Sequence, residues 1–417
     1  MRWHAKLTLA LVLLTSTLTG RALAFGDCNN SGYLATFDER LRPGDCDVID
    51  TIPIRWGTRS VEMRLIKMRR DHMGTAEQAD VAHKARELAT ALGRAMSQIG
   101  NLDIAPVTLL FTDLRPLEGE DAHADIPHVP GIARECGVAF YKSHAGLTLD
   151  EFVFIYAHEL FHCIEFKTWL DQMSPRDGRW WIEGTAEYFA NLAVPGSTGS
   201  DGFVADFDSQ SPTKSLIELS YENVAFFAWL TQASPTVLPG FIEHMPTAAG
   251  GQLAALQGVL LPDAWVEFEK AYLDGTIVLP GGRALPSHPN PGEIITISGT
   301  RSRVLHSKPF VVERARLTFV RGHNYELVFQ DQPSDARVRW KDADTGAWVD
   351  PPAAVPACDI EMHKRLMWGT TASDDAGQMV VKVLQKEPQI PAPAFRALHG
   401  RSRATLWKQM SRRALAP

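Results

Sequence analysis

The sequence predicts an α+β protein in which a mixed domain of helices and short strands precedes a β-sandwich. Between about residues 75 and 275, apolar residues mostly recur three and four positions apart, which is typical of helices that bury one face. Between residues 292 and 386 apolar and polar residues alternate, with turn sequences between the runs, which is typical of short strands. The segment 280–291 holds four prolines and two glycines and predicts the boundary between the two parts.

The elements of the first part are predicted in chain order. Residues 75–99 are predicted to form a helix, because apolar residues recur at helical spacing from Val81 to Met96. Two short apolar runs predict buried strands, at residues 106–112 and 137–141. Further helices are predicted at residues 152–166, 181–192, 216–231 and 239–275. The stretch 196–211 is rich in Gly, Ser and Asp and is predicted to be flexible.

Composition and charge limit the classes of protein that fit. The chain has 417 residues, of which 45% are hydrophobic and 22% charged, as in ordinary globular proteins of two or three domains. The net charge of −7 gives no reason to expect nucleic acid as a partner.

The N-terminus has the pattern of a signal peptide. Arg2 and Lys6 precede an apolar run over residues 7–18, and the small-x-small sequence that ends at Ala24 predicts cleavage there. We therefore expect a secreted or periplasmic protein. The apolar run is shorter than a typical transmembrane helix, and no transmembrane segment is predicted elsewhere.

All five cysteines follow the predicted cleavage point, and an oxidising compartment favours disulfides. Cys28 with Cys46 is the preferred pair and would tie an N-terminal segment over residues 25–60. Cys136 with Cys163 would tie a strand to a helix. The sequence cannot fix this connectivity, and one cysteine must be left over.

The residues with the clearest chemistry are His158 and His162 of an H-E-x-x-H motif. Residues four apart share one face of a helix, so that both imidazoles can bind one metal ion. Glu159 can act as the base toward a metal-activated water, and Glu183 is a plausible third ligand. A His₂Glu set with an open fourth position is typical of catalytic zinc. Thr148 and Glu151 fit a capping box at the start of this helix.

The H-E-x-x-H motif, with a W-x-x-E-G-x-A motif at residues 180–186, resembles the gluzincin metallopeptidases, which include thermolysin and the zinc aminopeptidases. The resemblance implies a thermolysin-like domain over residues 61–285, one zinc ion and a peptide or protein substrate. It also implies that Glu187 accepts a hydrogen bond from His158 and that a later Tyr or His stabilises the oxyanion. Tyr221 is the candidate for that role, and His244 is the reserve candidate.

One departure from the family narrows the expected activity. The aminopeptidases carry a G-x-M-E-N motif upstream of the first ligand, and this chain has none before His158. We therefore expect an endopeptidase. Two alternatives stay open, namely an inactive metallopeptidase-like adhesion protein and a zinc amidase that acts on cell-wall peptide.

Two further segments carry less specific signals. A polar loop contains His123, Asp125 and His128, which we interpret as a solvated turn in preference to a second metal site. The tail over residues 387–417 is basic and is predicted to be disordered. The oligomeric state is left open.

Overall fold

The computed structural model of the chain confirms the α+β class, with helices and three β-sheets. The structure describes residues 28–35, 37–100, 102–115, 124–125, 135–169, 178–246, 250–285, 289–342, 345–357 and 360–386. The predicted signal peptide, the basic tail and Cys358 lie outside these residues. No helix within the described ranges is both long and apolar enough to cross a membrane.

The described residues fall into two compact units. Among the described residues, the first unit comprises those from 28 to 169 and from 189 to 199, and the second comprises those from 178 to 188 and from 200 to 386, so that the division falls within helix α4. The elements from the N-terminus to α4 are α1 (Ser31–Leu34), β1 (Cys46–Trp56), β2 (Arg59–Met68), α2 (Thr75–Ile99), β3 (Val107–Thr112), β4 (Ala124–Asp125), β5 (Cys136–Tyr141), α3 (Leu149–Trp169) and α4 (Arg179–Ala193).

The first unit is built on a five-stranded sheet of order β1-β2-β3-β5-β4. β1 and β2 form an antiparallel hairpin, whereas β2, β3 and β5 run parallel. Every residue of β3 and β5 is buried, as expected for central parallel strands that are covered on both faces. β5 leads through a 3₁₀ turn, Lys142–Gly146, into α3, so the buried centre of this sheet positions the start of α3.

The structure confirms several sequence predictions in this unit and adds elements that were not predicted, the largest of which is a hairpin. α2, β3 and β5 lie where they were predicted. The hairpin β1–β2 was not predicted, and the expected limit of the N-terminal segment at residue 60 falls inside it. Ile52, Ile54 and Trp56 alternate with other residues in the sequence, and this period-two pattern is the signal that could have revealed β1.

Both expected disulfides are present. Cys28 is bonded to Cys46 with Cα atoms 5.9 Å apart, and Cys136 is bonded to Cys163 with Cα atoms 5.6 Å apart. The first tethers the segment before β1, and the second joins β5 to α3.

Within the described part of the second unit, five α-helices follow α4, and nine strands follow them. The helices are α5 (Asp201–Gln210), α6 (Val224–Thr231), α7 (Val237–Ile242), α8 (Gln252–Val259) and α9 (Pro262–Leu273). The strands are β6 (Glu293–Ile297), β7 (Arg301–His306), β8 (Glu313–Phe319), β9 (His323–Gln330), β10 (Arg337–Lys341), β11 (Trp348–Val349), β12 (Ala354–Val355), β13 (Met362–Gly369) and β14 (Asp375–Lys386).

Helix α5 corrects the prediction of a flexible stretch over residues 196–211. Gly, Ser and Asp dominate the composition there, but Val204 and Phe207 lie three residues apart and are both buried. Burial of this apolar pair against neighbouring residues stabilises a helix that the local composition does not favour.

The strands of the second unit form two sheets, of order β11-β10-β13-β8-β6 and β12-β9-β14-β7. β6 pairs with β8 in parallel, and the other strand pairs in these sheets are antiparallel. Buried residues of both sheets, such as Leu317 and Val381, belong to one hydrophobic cluster. The strands begin and end close to the predicted limits of 292 and 386.

Polar contacts tie α9 to the first of these sheets. Arg337 Nε donates to Asp263 Oδ1 at 2.8 Å, and Trp348 Nε1 donates to Asp274 Oδ1 at 3.0 Å. The helices and the C-terminal strands therefore belong to one compact unit, and the division does not coincide with the predicted boundary at residues 280–291. The domain limits of 61–285 and 292–386 therefore stay a prediction.

Candidate metal centre

Helix α3 carries both histidines of the motif, and its start has the predicted capping box. The backbone N–H of Glu151 donates to Thr148 Oγ1 at 3.3 Å, and the backbone N–H of Thr148 donates to Glu151 Oε2 at 2.9 Å. These bonds satisfy amide groups that have no partner inside a helix, which fixes the first turn of α3.

His158 and His162 lie side by side, one turn apart on α3. Their ring centroids are 4.9 Å apart and the ring planes are nearly perpendicular, at 85°. His158 is buried, and Leu160 and Phe161 between the two histidines are fully buried. The apolar surroundings limit access of water, which strengthens electrostatic attraction between a cation and its ligands.

The third predicted ligand, Glu183, joins these histidines. One ligand atom each of His158, His162 and Glu183 lie within 4.8 Å of one another. Zinc bonds to nitrogen and oxygen are about 2.1 Å long, so atoms on one ion lie at most about 4.2 Å apart. The upper limit of 4.8 Å is close to this spacing, and two imidazoles with one carboxylate are a donor set that fits zinc.

Glu165 is a residue of this site that the sequence analysis missed. Its Oε2 lies 2.7 Å from Nδ1 of His162, and its side chain is fully buried. The two residues are three positions apart on α3, a spacing at which helical side chains meet. This spacing is the signal that could have identified Glu165 from the sequence.

Two further acidic residues were predicted to act here. Glu159 follows the first histidine on α3 and is half-buried. Glu187 lies on α4 one turn after Glu183, is buried, and accepts a hydrogen bond of 2.7 Å from the hydroxyl of Ser200. The hydrogen bond expected between His158 and Glu187 stays a prediction.

Tyr221 lies in a different element from the one predicted. The expected single helix over residues 216–231 is broken into two 3₁₀ turns, Leu216–Glu218 and Tyr221–Asn223, before α6 begins. The ring of Tyr221 stacks on Phe203, with centroids 4.9 Å apart and an interplanar angle of 16°. Its role toward an oxyanion stays a prediction.

Of the remaining candidates, the structure describes the side chain of His244. His244 is exposed, and its Nδ1 lies 2.6 Å from the backbone oxygen of Gly240. This nitrogen therefore already has a hydrogen-bond partner in the backbone of α7. The side chains of His123, Asp125 and His128 lie outside the described residues.

Packing within the second unit fixes the helix that carries Glu183. Trp180 is buried, and its indole Nε1 donates to Gln252 Oε1 at 2.9 Å. The side chain of Asn223 donates to the backbone oxygen of Trp180 at 2.9 Å. A Cβ atom on Gly184 would lie 2.8 Å from the ring of Phe227, so glycine permits this close packing. These contacts hold α4 on both sides of Glu183.

No protein-family model matches the chain, and no curated protein matches it in sequence. Solved structures with similarity include a mutant of a two-domain M1 zinc metallopeptidase bound to L-arginine, at 15% identity and a TM-score of 0.31. A mutant M1 zinc metallopeptidase from Deinococcus radiodurans has 15% identity and a TM-score of 0.32. Each of these two matches covers 59% of this chain and 54% of the other, so the chain spans about half the length of either.

An aminopeptidase N family protein from Idiomarina loihiensis is also similar, at 10% identity and a TM-score of 0.32, covering 82% of this chain and 69% of the other. Similarities at these TM-scores carry no argument about this chain. The interpretation of the site therefore depends on its own residues.

Proposed function

We propose that this chain is a zinc-dependent peptidase of the gluzincin type that cleaves internal peptide bonds. The observation that carries the proposal is the approach of His158, His162 and Glu183 to within 4.8 Å. Two imidazoles and one carboxylate are the ligand set of catalytic zinc in enzymes that hydrolyse peptides, and they leave a fourth position for water or substrate.

The chemistry of the site would be shared between the ion and the protein. When bound, zinc supplies a Lewis acid that lowers the pKa of water to about 7 and polarises a carbonyl group. Glu159 directly follows the first ligand, so its carboxylate would take a proton from the attacking water and pass it to the leaving amine. Tyr221 would donate a hydrogen bond to the oxyanion that develops on the substrate.

The proposal includes the domain organisation of the chain and its cellular compartment. Residues 61–285 would form a thermolysin-like catalytic domain, and residues 292–386 would form a β-sandwich. The shared hydrophobic cluster of the two C-terminal sheets supports the sandwich. The two disulfides support export to an oxidising compartment after cleavage near Ala24.

Internal cleavage is favoured over removal of N-terminal residues. The aminopeptidase motif that binds a free amine has no counterpart before His158, where the buried strand β5 occupies the comparable place in the sequence. The chain therefore lacks the carboxylate that in the aminopeptidases binds the free amine of the substrate.

The deciding experiment combines metal analysis with digestion of a mixed peptide library whose amino termini are blocked. We expect about one zinc per chain and internal cleavage that a chelator abolishes. Glu159→Gln should keep the zinc and lose the cleavage, whereas Glu183→Ala should lose the zinc. The exposed Glu243→Gln variant serves as the control and should behave as the wild type.

Other results would point elsewhere. Bound zinc without cleavage of any peptide would favour an inactive binding protein, and cleavage confined to cell-wall peptide would favour an amidase. Zinc retained at wild-type affinity by Glu183→Ala would overturn the proposed ligand set.

A further inference from the structure

We propose that Glu165 is a positioning residue that holds His162 in one tautomer and aims its Nε2 atom at the metal. This role adds a residue to the proposed zinc site, and it depends on the proposed function for the presence of the metal. The hydrogen bond that carries the inference belongs to the protein itself and can be tested without zinc.

The contact between the two side chains has the geometry of a strong hydrogen bond. Oε2 of Glu165 lies 2.7 Å from Nδ1 of His162, a length typical of bonds that involve an ionised carboxylate. The pairing of residues three apart on one helix needs no change of the backbone. Nδ1 therefore donates its proton to Glu165.

This bond decides which nitrogen is left to bind a cation. A neutral imidazole has one N–H donor and one nitrogen lone pair. Because Nδ1 carries the proton toward Glu165, the lone pair lies on Nε2. His162 would therefore present Nε2 to the metal, and the negative charge of Glu165 would raise the basicity of that nitrogen.

Burial gives the contact its strength. The side chain of Glu165 is fully buried, and that of His162 is 12% exposed. An ionised carboxylate is costly to bury unless hydrogen bonds and a nearby positive charge offset its lost hydration. A zinc ion on the far nitrogen of His162 would supply positive charge through the ring, so Glu165 and the metal stabilise each other.

The backbone around Glu165 is held in place on both sides. Cys163, which lies between His162 and Glu165, is bonded to Cys136 on β5. Phe161, which directly precedes His162 on α3, stacks on Phe189 with ring centroids 4.7 Å apart. The carboxylate is therefore presented from a fixed turn of helix, as a positioning role requires.

The test compares Glu165→Gln and Glu165→Leu with the wild type. Zinc affinity is measured by competition with a chelator, and the His162 tautomer is read from nitrogen NMR of histidine-labelled, zinc-free protein. Glu165→Leu should weaken zinc binding roughly 10- to 100-fold and lose the uniform Nδ1–H tautomer. Glu165→Gln keeps a hydrogen-bonding group but loses the negative charge, so it should lose less affinity than Glu165→Leu.

Glu269→Gln is the matched control, because Glu269 is also a fully buried glutamate but lies on α9. We expect it to bind zinc as tightly as the wild type. The thermal unfolding midpoint of each zinc-free variant identifies any loss of affinity that only reflects misfolding.

Unchanged zinc affinity together with an unchanged tautomer in Glu165→Leu would overturn the proposal. If that variant does not fold, an Nε2–H tautomer of His162 in the wild-type protein would overturn it equally. A wild-type protein that binds no zinc would overturn the proposed function alone, since the tautomer is measured without metal.

Discussion

The disulfide partner of Cys136 is Cys163, the residue that directly follows His162 on α3. Both cysteines are fully buried, and the bond joins the central strand β5 to the turn of helix that presents His162. The bond therefore restrains the position of His162, a proposed metal ligand, and also closes the loop between β5 and α3.

Removal of this disulfide should affect stability and metal binding together. The bond spans 27 residues, and loop-closure entropy predicts a loss of about 3.5 kcal/mol in the free energy of unfolding for the Cys136→Ala, Cys163→Ala double variant. Zinc affinity should also fall, because the turn that carries His162 is freed. Urea unfolding and chelator competition measure the two effects.

The other disulfide supplies the control for that experiment. Cys28 and Cys46 are 18 residues apart, and their removal should cost about 3 kcal/mol by the same argument. It should leave the zinc affinity of the folded protein unchanged. Equal losses of zinc affinity in the two double variants would contradict a specific effect of the Cys136–Cys163 bond.

Replacement of Gly184 by alanine should destabilise the protein by about 1–3 kcal/mol, because overpacking of a close contact strains its surroundings. The added Cβ would lie 2.8 Å from the ring of Phe227 and 3.0 Å from Cβ of Asn223, which are both buried. Urea unfolding measures the loss. Gly240→Ala on α7 is the control, since a Cβ there meets no atom within 4 Å, and an unchanged stability of Gly184→Ala would show that the contact can relax.

The hydroxyl of Tyr221 should matter for turnover if it donates to the oxyanion. Tyr221→Phe keeps the ring stacked on Phe203 and removes only the donor, so kcat should fall about 10²- to 10³-fold with little change in KM. Steady-state kinetics on a peptide substrate measure both constants. Tyr272→Phe, which loses a 3.0 Å hydrogen bond to Asp208, should cost stability and leave kcat unchanged.

A result in which Tyr221→Phe and Tyr272→Phe have the same kcat would exclude Tyr221 from the chemistry. The resemblance to gluzincins would then leave His244 as the candidate. Its exposed position makes that role less favourable, because an oxyanion donor acts most strongly where water is excluded.

The buried carboxyl of Glu269 should make the protein less stable as the pH rises. Desolvation by burial raises its pKa well above the ordinary value of 4.5, although the nearby indole of Trp265 partly offsets this effect. Below pH 4.5 the carboxyl is neutral in both the folded and unfolded states, so it causes no loss. Above that pH the carboxyl ionises in the unfolded state but stays neutral in the folded state, which lowers the free energy of the unfolded state only. The free energy of unfolding therefore falls until the pH exceeds the pKa of Glu269 in the folded protein.

Glu269→Gln removes this titration and should flatten the pH dependence of stability. Relative to the variant, the wild type should lose about 1.4 kcal/mol per pH unit above pH 4.5, up to the folded pKa. Urea unfolding from pH 5 to pH 9 measures the difference. Curves for the two proteins that stay parallel over this range would show that the carboxyl does not titrate on folding.

Much of the local structure could be predicted from the sequence, because it depends on neighbouring residues. The helical spacing of His158 and His162, the capping pair Thr148 and Glu151, and the period-two alternation over residues 292–386 follow directly from backbone geometry. The two disulfides are the pairs that the sequence analysis favoured, although the sequence could not fix the connectivity of five cysteines.

Other features were decided by contacts between segments distant in the chain. Local composition argued against a helix at α5, and the burial of Val204 and Phe207 overrides it. The break before α6, which places Tyr221 in a 3₁₀ turn, is likewise absent from the simple apolar pattern of residues 216–231.

For the candidate metal centre, the sequence by itself determined the histidine pair, the adjacent base and the acidic helix that follows. Only the tertiary structure brought Glu183 to within 4.8 Å of both histidines and showed that Glu165 is fully buried against His162. The physical reason is that helical periodicity fixes which residues share a face. Which acids lose contact with water, and therefore act strongly on a cation, is set by the packing of distant segments around that face.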